Sequence, residues 1–136
     1  MRWHSSYDTY HDGVADYNMA HHYQVRERPE DSPAIHELYV SHAPDTGAFT
    51  VRVGHADATG LRHMAVLKKS RFGDSPTRLA IGGGRHDVGE PSEDLKTLIA
   101  HHHENPDQEH VLLDRLAEEY PDMQQHIDRH TAARYA

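Results

Sequence analysis

An arginine stands inside Gly47-Ala48-Phe49-Thr50-Val51-Arg52-Val53, a stretch that otherwise reads as a short buried β-strand. Phe49, Val51 and Val53 alternate with Ala48, Thr50 and Arg52. Successive strand side chains point to opposite faces, so the apolar row takes one face and the guanidinium the other. Pro44-Asp45-Thr46-Gly47 has the composition of a turn and delivers the chain into this strand. A guanidinium keeps its proton and is costly to bury alone, so an anion is expected beside Arg52. The charge distribution agrees: residues 48–85 hold seven Lys and Arg against Asp57 and Asp74, a net +5 in a chain of net −8, which leaves −13 for the flanks. A basic centre framed by acidic flanks implies a local anion site.

The length of 136 residues fits one domain. With only 36% hydrophobic residues and a mean hydropathy of −0.87, part of the chain is expected to lie outside the core. No apolar run reaches the ~20 residues of a membrane span, and the N-terminus lacks a signal pattern, so a cytoplasmic location is expected. The absence of cysteine excludes disulfides, thiolate catalysis and Cys-ligated metal. Net charge −8 argues against nucleic acid as a partner, and oligomeric state is left open.

Residues 1–31 carry Tyr7, Tyr10, Tyr17 and Tyr23 among polar residues without a sustained period, and are expected to form a loosely packed arm, assigned as 1–23. Asp31 or Ser32 caps an expected helix from Pro33 to about Ser41, with Ile35, Leu38 and Tyr39 on one face. Three antiparallel strands follow: the Arg52 strand, Leu61 to Lys69, and Thr77 to Ile81, which Gly82-Gly83-Gly84 ends. Ser92 then caps a helix with Leu95, Leu98 and Ile99 on one face. Val111, Leu112, Leu116 and Tyr120 mark a second helix that Pro121 stops, and Met123 to Ala133 a third, more polar one. The expected fold class is α+β: a small central antiparallel sheet flanked by two helices, one on each face, with extra C-terminal helices in residues 106–136.

The order helix, turn, Gly-x-Phe-x-Val-Arg strand, two further strands and a capped Leu-x-x-Leu-Ile helix over residues 24–105 resembles the Src-homology-2 domain. Gly47, Phe49, Val51 and Arg52 match that family's signature strand, and Glu93 to His103 looks like its second helix. The resemblance implies a non-catalytic module, without a cofactor, that binds tyrosine-phosphorylated proteins or peptides. Arg52 would be the fork that meets two phosphate oxygens. The loop after the strand would add donors from Thr59 and the amides near His55, with His63 and Arg78 along the wall. The family's second arginine falls at Ser32 by spacing, and Arg28 reaches that place only with a gap. The short polar Gly82–Pro91 segment implies weak selectivity for flanking residues. Shortened versions of this kind resemble those of bacterial effectors delivered into host cells.

Plainer readings compete. Arg52 can instead meet a structural carboxylate of its own chain such as Glu37, which leaves a protein-interaction domain without phosphate binding. The 15 histidines raise a metal reading, for which Asp122, His126 and His130 on one helix face are the best weak candidates; a solvated polar face accounts for them as well. A small histidine- or metal-dependent hydrolase would use His55 with Asp57 or His86 with Asp87. No nucleophile elbow or phosphate-binding glycine loop accompanies those pairs.

Overall fold

A computed structural model of the chain describes residues 3–11, 19–27, 35–57, 59, 62–70 and 75–134. Seven strands come first, β1 (Trp3–His11), β2 (Met19–Glu27), β3 (Ile35–His42), β4 (Phe49–Ala56), β5 (Arg62–Lys69), β6 (Thr77–Ile81) and β7 (Gly84–Val88). Each pairs antiparallel with the next, so sheet order equals chain order. Three helices follow, α1 (Glu93–His101), α2 (Glu109–Glu119) and α3 (Gln124–Arg134), with single 3₁₀ turns at Pro106–Gln108 and Pro121–Met123. The α+β class and the C-terminal helices are as the sequence indicates.

Register explains the core. Tyr23, Val40, Val51, Leu67 and Leu79 lie opposite one another across β2 to β6, and Val25, Leu38, Val53, Ala65 and Ile81 form the next row on the same face. Leu95 and Ile99 of α1, Leu112, Leu113 and Leu116 of α2, and Ile127 of α3 join these rows in one buried cluster. All three helices therefore cover one face of the sheet, and no described helix covers the other. The expected placement of one helix on each face is corrected by this arrangement.

The expected helix Pro33–Ser41 is also corrected: residues 35–42 are strand β3. Ile35, Leu38 and Tyr39 satisfy helical spacing, but Leu38 and Val40 satisfy the strand period equally, and short apolar runs fit both. Pairing with β2 and β4 decides between them, because it satisfies the backbone groups of both neighbours. The expected arm contains β1 and β2, and Tyr23 and Val25 of β2 are buried in the core. Gly82 and Gly83 do not end the sheet. They form the two-residue turn between β6 and β7, with Gly82 at φ +61°. Of the expected C-terminal extension, residues 106–134 belong to the same core as the strands through Leu112, Leu116, Met123 and Ile127.

Ser92 caps α1 as its sequence indicates, accepting from the Leu95 amide at 3.1 Å. It also donates its hydroxyl to Glu119 of α2 at 2.6 Å, while the Ser92 amide takes the other Glu119 oxygen at 2.7 Å. Arg115 completes the clasp at 2.9 Å from Glu119. These charge-assisted bonds fix α1 against α2.

Gly54 lies in β4 opposite Glu37 and Met64. A Cβ built there would meet the His63 carbonyl oxygen at 2.1 Å and the Met64 Cα at 2.8 Å, both backbone. Gly54→Ala is therefore expected to lower stability by about 2–4 kcal/mol, because the ladder itself must move. Gly82→Ala, with open space around its Cβ, costs only the left-handed strain of about 1 kcal/mol. Urea midpoints of the two variants check the difference; equal midpoints would contradict it.

Candidate functional site

The uncovered face of the sheet is where the cations collect. Tyr39, Arg52, Val66, Ala80 and Arg85 form one row across β3 to β7, and Ser41, Thr50, Lys68, Arg78 and Asp87 the next. The alternation that buries Val51 and Val53 beneath the helices sends Arg52 to this face.

Arg52 is not left open there. Its Nη2 donates to Glu37 Oε1 at 3.2 Å, and its guanidinium lies 4.2 Å from the centroid of the Tyr39 ring. The Glu37 side chain is 3% exposed and that of Arg52 32%. Of the two readings of this arginine, pairing with a carboxylate of its own chain is the observed one. The Arg52 Nε is buried without a hydrogen-bond partner.

This pairing changes what replacing Arg52 does. A buried carboxylate stripped of its cation keeps its desolvation cost, and exposure of part of Arg52 screens some of that cost. Arg52→Ala is expected to lower stability by about 1–3 kcal/mol in urea unfolding, with part of the loss recovered when Glu37→Gln is added. Single and double variants of equal stability would show that the pair contributes nothing.

Beside Arg52 the same face opens into a cleft of about 390 Å³. Val66 and Ala80 contribute apolar floor, Ser75 and Pro76 a rim, and Lys68, Arg78 and Arg85 three positive charges. Arg78 donates to Asp87 at 3.2 Å, with both groups more than half exposed, so water weakens that pair. Lys68 and Arg85 have no ion-pair partner among the described residues. On the helix-covered side, by contrast, Lys69 is held by Glu90 at 2.7 Å and Lys96 by the same carboxylate at 3.4 Å. Lysine 69, Lys96 and the Thr77 hydroxyl together hold the Glu90 carboxyl below its ordinary value.

The residues expected to form one phosphate site are split by the sheet. Arg52 and Arg78 lie on the uncovered face. His55 and His63 occupy the helix side, since positions 52 and 55 of one strand differ in parity. Thr59 donates both its amide, at 2.9 Å, and its hydroxyl, at 2.6 Å, to Asp57 Oδ1, so the loop's own carboxylate takes the donors expected for a phosphate. Arg28 lies outside the described residues. On the helix side His36, His55 and His63 face one another across β3, β4 and β5. The His55 and His63 rings stack with centroids 4.8 Å apart, His36 follows at 5.6 Å from His55, and His63 Nε2 lies 3.2 Å from Asp57 Oδ2. Adjacent strand residues point apart, so His86 and Asp87 of β7 do not form a pair.

The weak metal candidates do not converge. Asp122 is exposed in its 3₁₀ turn, His126 faces the His63 side, and His130 is buried 3.5 Å from Glu109, which also meets Arg134 at 3.4 Å. No group of three His, Asp or Glu among the described residues could hold a metal ion. Of His101 to His103, His102 turns into the core and meets Tyr23 edge-on at 4.5 Å, whereas His101 and His103 pair with Glu104. Glu37 was already a candidate partner of Arg52 in the sequence, whereas the contacts of Tyr39 and His36 were hidden because they depend on β3 being a strand. No protein-family model, curated protein or solved structure matches the chain.

His102 carries the clearest acid liability. Burial, against the weaker attraction of Glu109, pushes its imidazole down to about 4. The unfolded chain therefore binds a proton below about pH 6.5 that the folded state refuses until about 4, and stability falls as pH drops through that window. From pH 7 to about 4.5 this site alone is expected to cost about 2–3 kcal/mol. His102→Phe, which keeps an aromatic edge against Tyr23, should flatten that part of the pH–stability curve; an unchanged curve would contradict the assignment.

Proposed function

We propose that this chain is a non-catalytic binding module that takes an anionic segment of a partner protein on its uncovered sheet face. The observation that carries this reading is the cleft in which Lys68 and Arg85 stand beside Arg78 without a described carboxylate to neutralise them. The rest of the molecule is acidic, with a total charge of −8. A positive face on so acidic a molecule steers acidic partners towards it while the negative remainder repels them.

The chemistry of the cleft favours a particular anion within that class. Val66 and Ala80 offer an apolar floor on which an aromatic ring can lie, and the cations stand at its edge where a doubly charged ester would reach. Phosphotyrosine, the ligand implied by the resemblance of Gly47 to Arg52, combines both features. Arg52 then acts through position rather than as the fork: paired to Glu37 and laid on Tyr39, it supports the wall of the site.

Calorimetric titration with a phosphotyrosine peptide, its phosphoserine counterpart and a Glu-rich peptide tests this. Binding of the anionic peptides is expected to weaken about tenfold or more in Lys68→Glu/Arg85→Glu, with an unchanged unfolding midpoint, because both side chains are exposed. Preference for the tyrosine ester over the phosphoserine peptide identifies the apolar floor as part of the site. Undiminished binding in the double variant, or no binding by the wild-type chain, would overturn the proposal.

A further inference from the structure

Helix α3 lies across β3, β4 and β5, over the strand ends that carry His36, His55 and His63. Its His126 and Arg129 face that row: Arg129 acts on both His55 and His126, and His63 acts on both as well. The groups that meet here are thus His36 from β3, His55 from β4, His63 from β5, Asp57 from the β4–β5 connection, and His126 and Arg129 from α3. Asp57 is the one carboxylate acting on His55 among the described residues. The Nδ1 atoms of His55 and His126 are buried without a hydrogen-bond partner.

We propose that this histidine stack is a proton-sensitive catch, which holds α3 on the sheet while its imidazoles are neutral and releases the helix when they become charged. Neutral rings at 4.8 Å and 5.6 Å pack as flat apolar surfaces. Charged rings at that separation repel one another, and Arg129 adds a fixed positive charge beside them. Asp57 can offset one positive charge in the row, that on His63, at 3.2 Å.

Two of the four imidazoles are held below their ordinary value. For His55 the causes are burial first, then Arg129, His63 and His36; for His126 they are burial, then Arg129 and His63. A lowered imidazole value means that the docked state binds fewer protons than the released one. Docking is therefore complete above about pH 6.5 and weakens as pH falls below it. The other ties of α3 are Ile127 in the core and Glu109 of α2, which lies 3.5 Å from the buried His130 and 3.4 Å from Arg134, so the stack is one of several contacts that hold the helix.

Amide hydrogen exchange of the full chain, followed by segment at about pH 7.5 and about pH 5.5 and corrected for intrinsic rates, tests the catch. Protection of α3 relative to α2 is expected to drop about tenfold or more at the lower pH, over and above the loss that His102 brings to the whole fold. His55→Phe/His126→Phe, which keeps flat rings in place, should abolish the pH dependence. Asp57→Asn, at a partly exposed site, should enlarge it by removing the charge that offsets protonated His63. Equal loss of protection in α1, α2 and α3, or an α3 response that none of these variants changes, would overturn the proposal.

Discussion

Strand β4 has to satisfy two surroundings at once. Phe49, Val51 and Val53 enter a water-free layer under the helices, while Thr50 and Arg52 face the uncovered side. Because side chains along a strand alternate strictly, slipping its register by one residue would bury Arg52 among Leu38, Leu67 and Leu95 and expose the valines. That penalty locks β4 between β3 and β5, and the other strands take their places by extension from it. The meander, the helix layer and the charged face all follow from this one registration.

The same constraint accounts for how Arg52 is held. Its neighbours on the uncovered face are set by pairing: Tyr39 directly opposite, and Glu37 one step along β3. Gly54, opposite Glu37, has no side chain to occupy the space between them, and its close approach to the backbone of β5 requires that absence. An arginine, a carboxylate, an aromatic ring and a glycine thus form one unit spread over two strands. A guanidinium tied in this way is better suited to holding a wall in place than to meeting a ligand, and Lys68 and Arg85 are the exposed cations left beside it on that face.

Histidines divide the molecule along similar lines. The chain's abundance of them reads in sequence as a single compositional bias, but the fold sorts them by environment. His102 completes the core against Tyr23, His130 sits with Glu109 at the far part of α3, and His36, His55 and His63 stack where the strands meet that helix. His102 resists a positive charge through burial, and His55 through burial and the cations beside it, so the fold couples its packing to mild acidity at these points.

Local patterns were sufficient for much of the architecture. The turn at Pro44 to Gly47, strands β4, β5 and β6, the Ser92 cap of α1 and the end of α2 before Pro121 are all legible in the sequence, because each rests on alternation, capping chemistry or a proline within a few residues. Residues 35–42 show the limit: Leu38 fits both periods, and only hydrogen bonds to β2 and β4, remote in sequence, make the segment a strand. The presence of a charged centre was likewise written in composition. Which arginine is tied down, which cations remain open, and that His55 and Arg52 lie on opposite sides of a sheet were settled by tertiary pairing, since burial and charge neutralisation depend on neighbours that sequence distance does not reveal.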